Sequence, residues 1–313
     1  MDILSDIFET VQLRGTLYFR TDFSHPWGVT VPPLGRATRF HYVLAGSCWL
    51  QLGEAAPVQL NRGDFVLVPG GLSHILTSAP DQSAPPLEAL LYEANYQGDG
   101  YLVLPGGDPQ AGTQLVCGHF SFARGADHPL LRAMPDRIII TAADRERRRW
   151  LSAVLDLLAT TIFHDPHAPV GVVRRLSEVV LLEALRSAED EAPEVRRMIA
   201  GFADPRVGRA IALIHREPER AWTIDSLARE AAMSRTRFAA RFRALIGTTP
   251  IAYLSEWRLQ RAAALLASSS RPVGEIAHAC GYTNAASFAR AFAERFGETP
   301  NRFRQSSDPA EAG

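Results

Sequence analysis

Four side chains in the first 140 residues, His41, His74, Cys117 and His119, are of types that bind metals, carry protons or react with oxidants. His41 lies in a run of β-forming residues. Cys117 and His119 are two apart in another such run, so on a strand both face the same side. Imidazole and thiolate together suit Zn²⁺. In a second reading His41 and His74 are hydrogen-bonded core groups and Cys117 is a small buried hydrophobe. In a third, Cys117 or Cys48 senses oxidation, which needs a basic neighbour to lower the thiol pKa, and the sequence shows none.

A different chemistry is written near the C-terminus. Phe238, Phe242, Gly247 and Pro250 recur 50 residues later as Phe288, Phe292, Gly297 and Pro300, while Leu227-Ala228 recurs after 49 as Ile276-Ala277. The one-residue slip falls in a turn between two helices, which makes a helix-turn-helix unit used twice. Thr223 and Ser234 are placed to cap the helices of the first unit, and Gly247 to end its second. At 100° per residue Phe238, Phe242 and Leu245 share the inner face, with Thr236, Arg237, Ala240 and Arg243 on or beside the opposite one. In the second unit Phe288, Phe292 and Phe296 point in, and Ala286, Ser287, Arg290 and Glu294 point out. Small and hydrogen-bonding residues at a helix start suit a DNA major groove, where Arg takes guanine bidentately and Thr meets a thymine methyl. Arg235, Arg241, Arg295, Arg302 and Arg304 are placed for phosphates.

The elements that must carry these residues divide the chain. Up to about residue 140, short β-forming runs (Phe40–Leu44, Cys48–Leu52, Phe65–Val68, Leu87–Tyr92 and Gln114–Phe122) alternate with Gly- and Pro-rich turns, the pattern of an antiparallel sandwich or barrel. From Asp144 the period becomes helical: Trp150, Leu151, Val154, Leu155, Leu158 and Ile162, then, past the Pro166–Pro169 break, Val172, Leu176, Val179, Val180 and Leu185. Those stripes need a partner, either the chain's own sheet or a second copy. Residues 189–193 read as a solvated linker, and Asp204-Pro205 as the start of a helix reaching about Arg216.

Charge follows the same division. The net charge of -1 excludes a uniformly basic nucleic-acid coat and a disordered polyelectrolyte. Residues 221–304, however, hold twelve Arg against six acids, a balance of +6, which points to an anionic partner for that segment. All 33 basic residues are Arg. Three Cys make no disulfide framework, and with an acidic N-terminus and no membrane-length apolar run the expectation is a soluble cytoplasmic protein.

Residues 222–304 resemble the DNA-binding domain of the AraC/XylS family of transcriptional regulators. The likeness rests on Ile276-Ala277, Cys280-Gly281-Tyr282, Ser287-Phe288-Ala289-Arg290-Ala291-Phe292, Phe296-Gly297-Glu298-Thr299-Pro300 and Phe303-Arg304. It implies two recognition helices joined by a linker helix over 251–266, with Trp257 and Arg258 in it. The implied contact set is Ser234, Arg235, Thr236, Arg237, Ala240, Arg241 and Arg243 in the first unit and Asn284, Ala286, Ser287 and Arg290 in the second. Ala240 and Ala286 donate no hydrogen bond, so no operator code is inherited.

Gly63-Asp64-Phe65-Val66-Leu67-Val68-Pro69-Gly70-Gly71-Leu72-Ser73-His74 resembles the second motif of cupin barrels. The first motif's Glu and His-x-His slots hold Arg39 and Pro32-Pro33-Leu34-Gly35, so the usual metal cage is absent. The expected fold class is therefore α+β and multidomain: a cupin-like β-barrel sensor (1–140), a helical linker or dimerisation region (141–200), an all-α double helix-turn-helix domain (201–306) and a disordered tail (307–313). The resemblance implies a transcriptional regulator, by family tendency an activator and a homodimer, that binds double-stranded promoter DNA, answers a small-molecule or chemical signal and contacts RNA polymerase. The alternative is a cupin-type metal enzyme with a regulatory DNA-binding appendage.

Overall fold

The protein is described from a computed structural model. It covers residues 3–35, 37–98, 101–104, 108–143, 170–189 and 192–306, with 150, 151, 153–155 and 157 between them. The helical positions expected at Leu158 and Ile162, the 166–169 break and the 307–313 tail lie outside the described residues.

Two units separate: residues 14–121 with 134–188, and residues 1–13 with 122–133 and 189–313. The sheet unit carries β1 (Arg14–His25), β2 (Gly28–Val31), β3 (Thr38–Ala45), β4 (Ser47–Gln51), β5 (Val58–Asn61), β6 (Phe65–Val68), β7 (His74–Thr77), β8 (Tyr101–Leu104), β9 (Asp108–Ser121) and β10 (Ile138–Ile140). The strands form two sheets, ordered β10-β6-β3-β9-β1-β8 and β2-β7-β4-β5, rather than one closed barrel. Val43, Cys48, Leu50, Val66, Val68, Leu76 and Leu115 from both sheets make one apolar core.

Alternation along β3 decides what reaches that core. Arg39, His41 and Val43 share its inner side, paired in register with Val68 and Val66 of β6 and with His119, Cys117 and Leu115 of β9. Phe40 is turned the other way and stacks with Phe65 and Phe120. A Cβ on Gly118 would come within 2.5 Å of the Phe40 ring and 2.4 Å of the Thr16 carbonyl. Gly118→Ala is therefore expected to cost about 1–3 kcal/mol through overpacking, read as a lowered melting temperature. Gly71, at φ 62°, closes the turn before His74, and a Cβ there would meet the Leu34 and Gly35 carbonyls.

One expected strand is a helix. In chain order the first two helices are α1 (Ile3–Thr10) and α2 (Leu87–Glu93), and α2 takes up the run Leu87–Tyr92. Leu87, Leu90, Leu91 and Ala94 fall at helical spacing and pack on the sheet core, so a 3.6-residue period accounts for an apolar run that reads as a strand. After α3 (Pro129–Arg132), α4 (Val170–Ser187) buries Val180, Leu181, Ala184 and Leu185 and packs on β1 and β10.

The helical unit holds α1, α3, α5 (Pro193–Ala203), α6 (Val207–Arg216), α7 (Ile224–Glu230), α8 (Arg235–Ile246), α9 (Pro250–Ser268), α10 (Val273–Ala279), α11 (Ala285–Phe296) and α12 (Pro300–Gln305). Thr223 and Ser226 form a capping box on α7; Thr249, Asn284 and Thr299 cap α9, α11 and α12. Gly247 and Gly297 end α8 and α11 in the left-handed conformation. The four-residue turn 231–234 and the five-residue turn 280–284 account for the slip between the repeats. Residues 1–13 and 122–133, expected within the sensor, belong to this unit, because Ile3, Leu4, Ile7 and Phe8 bury an apolar face and α1 packs on α6 and α9.

Candidate nucleic-acid interface and sensor cavity

Phe238, Phe242 and Ile246 anchor α8, and Phe288 and Phe292 anchor α11, all buried. With those faces inward, Ser234, Arg235, Thr236, Arg237, Ala240, Arg241 and Arg243 stand exposed on one recognition helix, and Asn284, Ala286, Ser287 and Arg290 on the other. Asn284 has a structural task, since its Oδ1 accepts the Ala286 and Ser287 N–H groups at 2.7 and 3.3 Å. Ser234 sits at the N-cap of α8 without a side-chain capping bond. Among the described residues Arg237, Arg243 and Arg290 make no ion pair, whereas Arg235 reaches Asp225 at 3.1 Å.

Arg241 is held differently. It donates through Nε and Nη2 to Asp204, whose other oxygen accepts the Val207 and Arg206 N–H groups at the start of α6. Burial would raise the Asp204 carboxyl, but these donors outweigh it and hold it below its ordinary value. Two other arginines expected on phosphates are engaged inside the unit. Arg295 donates to Glu256 from Nε (3.0 and 2.9 Å) and Nη2 (2.7 Å) and to Asp127 at 2.6 Å, with about a quarter of its side chain exposed. Arg304 donates to the Arg271 carbonyl. Spacing places both on the outer side of their helices; the partners come from segments that only folding brings near. Arg302 remains exposed.

A second network was invisible in the sequence. The Leu130 N–H donates to His128 Nδ1 (3.1 Å), so His128 Nε2–H points to the Tyr253 hydroxyl at 3.3 Å. Tyr253 then donates to His215 Nε2 (2.8 Å), and His215 Nδ1–H faces Asp6 at 3.5 Å, its ring stacked on Trp257 at 3.6 Å. This assignment gives each of the three hydrogen bonds one donor and one acceptor. The chain of bonds ties α1, the 122–133 segment and α6 to the linker helix α9.

In the sheet unit, His41, His74 and Cys117 do meet. His74 Nδ1 donates to the Leu72 carbonyl (3.0 Å), leaving Nε2 to accept from His41 Nε2–H (2.8 Å); His41 Nδ1 in turn accepts the Cys117 S–H at 3.1 Å. All three groups are neutral. Burial lowers the His41 pKa well below its ordinary value, takes His74 to about 4 and raises the Cys117 thiol. Arg39, 6% exposed, lies two residues away on the same side of β3. Arg39, His41 and Cys117 border an apolar cavity of about 20 Å³, room for a water molecule. His119 faces the Arg39 end of the row and is only half-buried.

Residues 2–190 match a family model described as Cupin, and residues 227–306 one described as Helix-turn-helix domain. A "Putative AraC-like transcription regulator" of Streptomyces antibioticus is 33% identical over 99% of this chain and all of its own. The chain belongs to the AraC-like transcription regulators. The "HTH-type transcriptional regulator AlkR" of Acinetobacter baylyi is 27% identical over 98% of the chain and 100% of its own length. The solved DNA-binding domain of AdpA, in complex with a target DNA, is 28% identical and covers 35% of this chain and 97% of its own, with a TM-score of 0.33.

In this AraC-like chain the zinc reading fails on geometry. Cys117 and His74 contact different nitrogens of the His41 ring, and one ion reaches only one nitrogen of an imidazole. Among the described residues no three metal-binding side chains converge. Oxidation sensing fares no better: burial pushes Cys117 up and Cys48 to about 12, so both are thiols rather than reactive thiolates.

Proposed function

We propose that the protein is a ligand-responsive transcription factor and not an enzyme: a small molecule occupies the sheet unit's cavity and biases how α8 and α11 engage promoter DNA. The observation that carries this is the chain's path. It passes between the units at residues 13/14 and 121/122, the ends of β1 and β9, and both strands line the cavity through Phe23 and Cys117. A change in cavity occupancy is thus covalently linked to α1 and to the 122–133 segment, which are built into the DNA-binding unit. The ligand must favour one arrangement over the other, since equal affinity shifts nothing.

The DNA contacts assigned are Thr236, Arg237, Ala240, Ala286, Ser287 and Arg290 to bases, with Ser234, Arg235, Arg243 and Arg302 toward phosphates. Exposure and the absence of an ion pair favour Arg237, Arg243 and Arg290; Arg241 reaches phosphate only while holding Asp204. Arg290→Ala is expected to cost about 1–3 kcal/mol and to relax preference at one base pair. Selection of binding sites from random DNA checks it, and an unchanged motif contradicts it.

A cytoplasmic activator acting as a homodimer and touching RNA polymerase fits the family's habit. No described helix is long and apolar enough to cross a membrane. Genome-wide binding with and without candidate signals tests the whole reading: occupancy that never depends on a signal rejects the sensor.

A further inference from the structure

We propose that Arg258 on the linker helix α9 is a positioning residue that holds the two helix-turn-helix repeats at one separation, and so sets which operator spacing the protein accepts. The proposal rests on the reading that α8 and α11 both contact bases. It concerns the distance between their two sites rather than the bases within them.

Each repeat has its own apolar seat on α9. Phe242 of the first repeat meets Tyr253 edge-on, with 5.8 Å between ring centroids. Further along the helix Leu259, Ala262, Ala263 and Leu266 pack with Ile276, Phe288 and Phe292 of the second. Burial of this kind is non-directional, so it keeps each repeat on α9 while specifying the angle between them only weakly. Arg258 lies between the two seats and supplies directional bonds. Its Nε donates to the Pro218 carbonyl at 2.7 Å and its Nη2 to the Arg220 carbonyl at 2.9 Å. Both acceptors belong to the loop 217–222 that leads into α7, and that loop is closed by the Trp222 Nε1–H donating to the Glu217 carbonyl at 2.9 Å. The side chain is half-buried, and bonds from a charged donor are about twice as strong as neutral ones.

The same guanidinium faces the turn of the second repeat. A Cβ on Gly281 would come within 2.6 Å of Arg258 Nη2 and 2.7 Å of the Pro218 carbonyl. Gly281 also has a φ of 80°, so the missing side chain serves both the turn and the close approach. The loop that opens the first repeat, the linker helix and the inner turn of the second thus converge on one side chain.

DNA turns that geometry into selectivity. A helical turn of about 34–36 Å holds about 10–10.5 base pairs, so one added pair moves the second site by about 3.4 Å and rotates it by about 34°. Side chains that bond base edges tolerate a misplacement of about 0.5 Å. Two repeats fixed to one another cannot follow such a change; two repeats joined loosely can.

Selection of binding sites from random DNA by the intact protein defines the two blocks of its motif. Titration on that operator, with one base pair inserted or removed between the blocks, then tests the proposal. The wild type is expected to lose about ten-fold or more in affinity for either change, the loss of more than one base contact. Arg258→Ala should reduce that penalty to about three-fold or less while keeping base preference within each block. A general loss of stability does not do this, because it lowers the active fraction equally on every DNA. Gly281→Ala should relax the spacing in the same way, and it carries the test where Arg258→Ala fails to fold. An unchanged penalty in a folded variant, or an altered base preference within a block, overturns the proposal. So does a wild type that binds all three spacings alike, which leaves α8 and α11 as readers. A motif of one block rejects the two readers and the proposal together.

Discussion

Lowering the pH from 7 to 5 is expected to destabilise the protein by several kcal/mol, most of it through four histidines. His41 and His74 in the sheet unit and His128 and His215 in the helical unit all have pKa values lowered, in each case first by burial. For His215 the Asp6 carboxylate partly opposes that effect. In the unfolded chain each histidine takes up a proton near pH 6.5. Below that pH the unfolded state binds more protons than the folded one, so stability falls as pH falls until each folded pKa is reached. Each such histidine contributes up to about 1.4 kcal/mol per pH unit. Above pH 7 the same groups are neutral in both states and add no slope.

The window from 6.5 to 5 lies above the range in which carboxylates protonate, so the histidines dominate it. Urea unfolding of the full chain at pH 7.5, 6.5 and 5.5 reads the effect as a falling midpoint. A flat profile would show that these imidazoles are solvated or already charged in the folded protein, and would break both hydrogen-bond chains assigned above. His74, whose pKa is taken to about 4, should still be neutral at pH 5, so the slope should persist to the lower end of the window.

Arg295→Ala is the second large effect. It leaves Glu256 and Asp127, each about four-fifths buried, facing one another with only the half-exposed Arg132, at 3.1 Å from Asp127 and 3.9 Å from Glu256, as a cation. The Glu256 bonds, then those to Asp127, raise the Arg295 pKa against the cost of burial. Removing one partner from a well-buried ion pair costs about 3–5 kcal/mol, and the partial exposure here reduces that to about 2–3. The loss should appear in thermal unfolding, with little change in the salt dependence of DNA affinity per folded molecule. Arg302→Ala should do the opposite, leaving the melting temperature in place and lowering the salt slope by about 1. An Arg295→Ala protein that melts normally and binds DNA with a reduced slope would return Arg295 to the phosphate contacts.

The contrast between these arginines marks what local pattern can and cannot say. Both lie in the +6 segment and both read as outward cations. Helical period depends on residues three and four apart, so it places the side chain on a face; it does not say what arrives against that face from 168 residues away, as Asp127 does at Arg295. The 3.6-residue reading succeeded where the apolar anchors were strong, as for Phe238, Phe242, Phe288 and Phe292, and at Gly247 and Gly297, whose lack of a Cβ permits the helix stop. It failed at Leu87–Tyr92, where a short apolar run fits a strand or a helix equally until its neighbours are known.

The sequence by itself determined the duplicated helix-turn-helix, the Thr223 cap and the glycine helix stops, because these depend on contacts between near neighbours. Only the tertiary structure decided that His41, His74 and Cys117 form one neutral row, that His119 stands apart, and that residues 1–13 and 122–133 belong with the DNA-binding helices. Strand register and long-range burial set those relations, and each rests on the free energy of the whole fold rather than on any stretch of the chain.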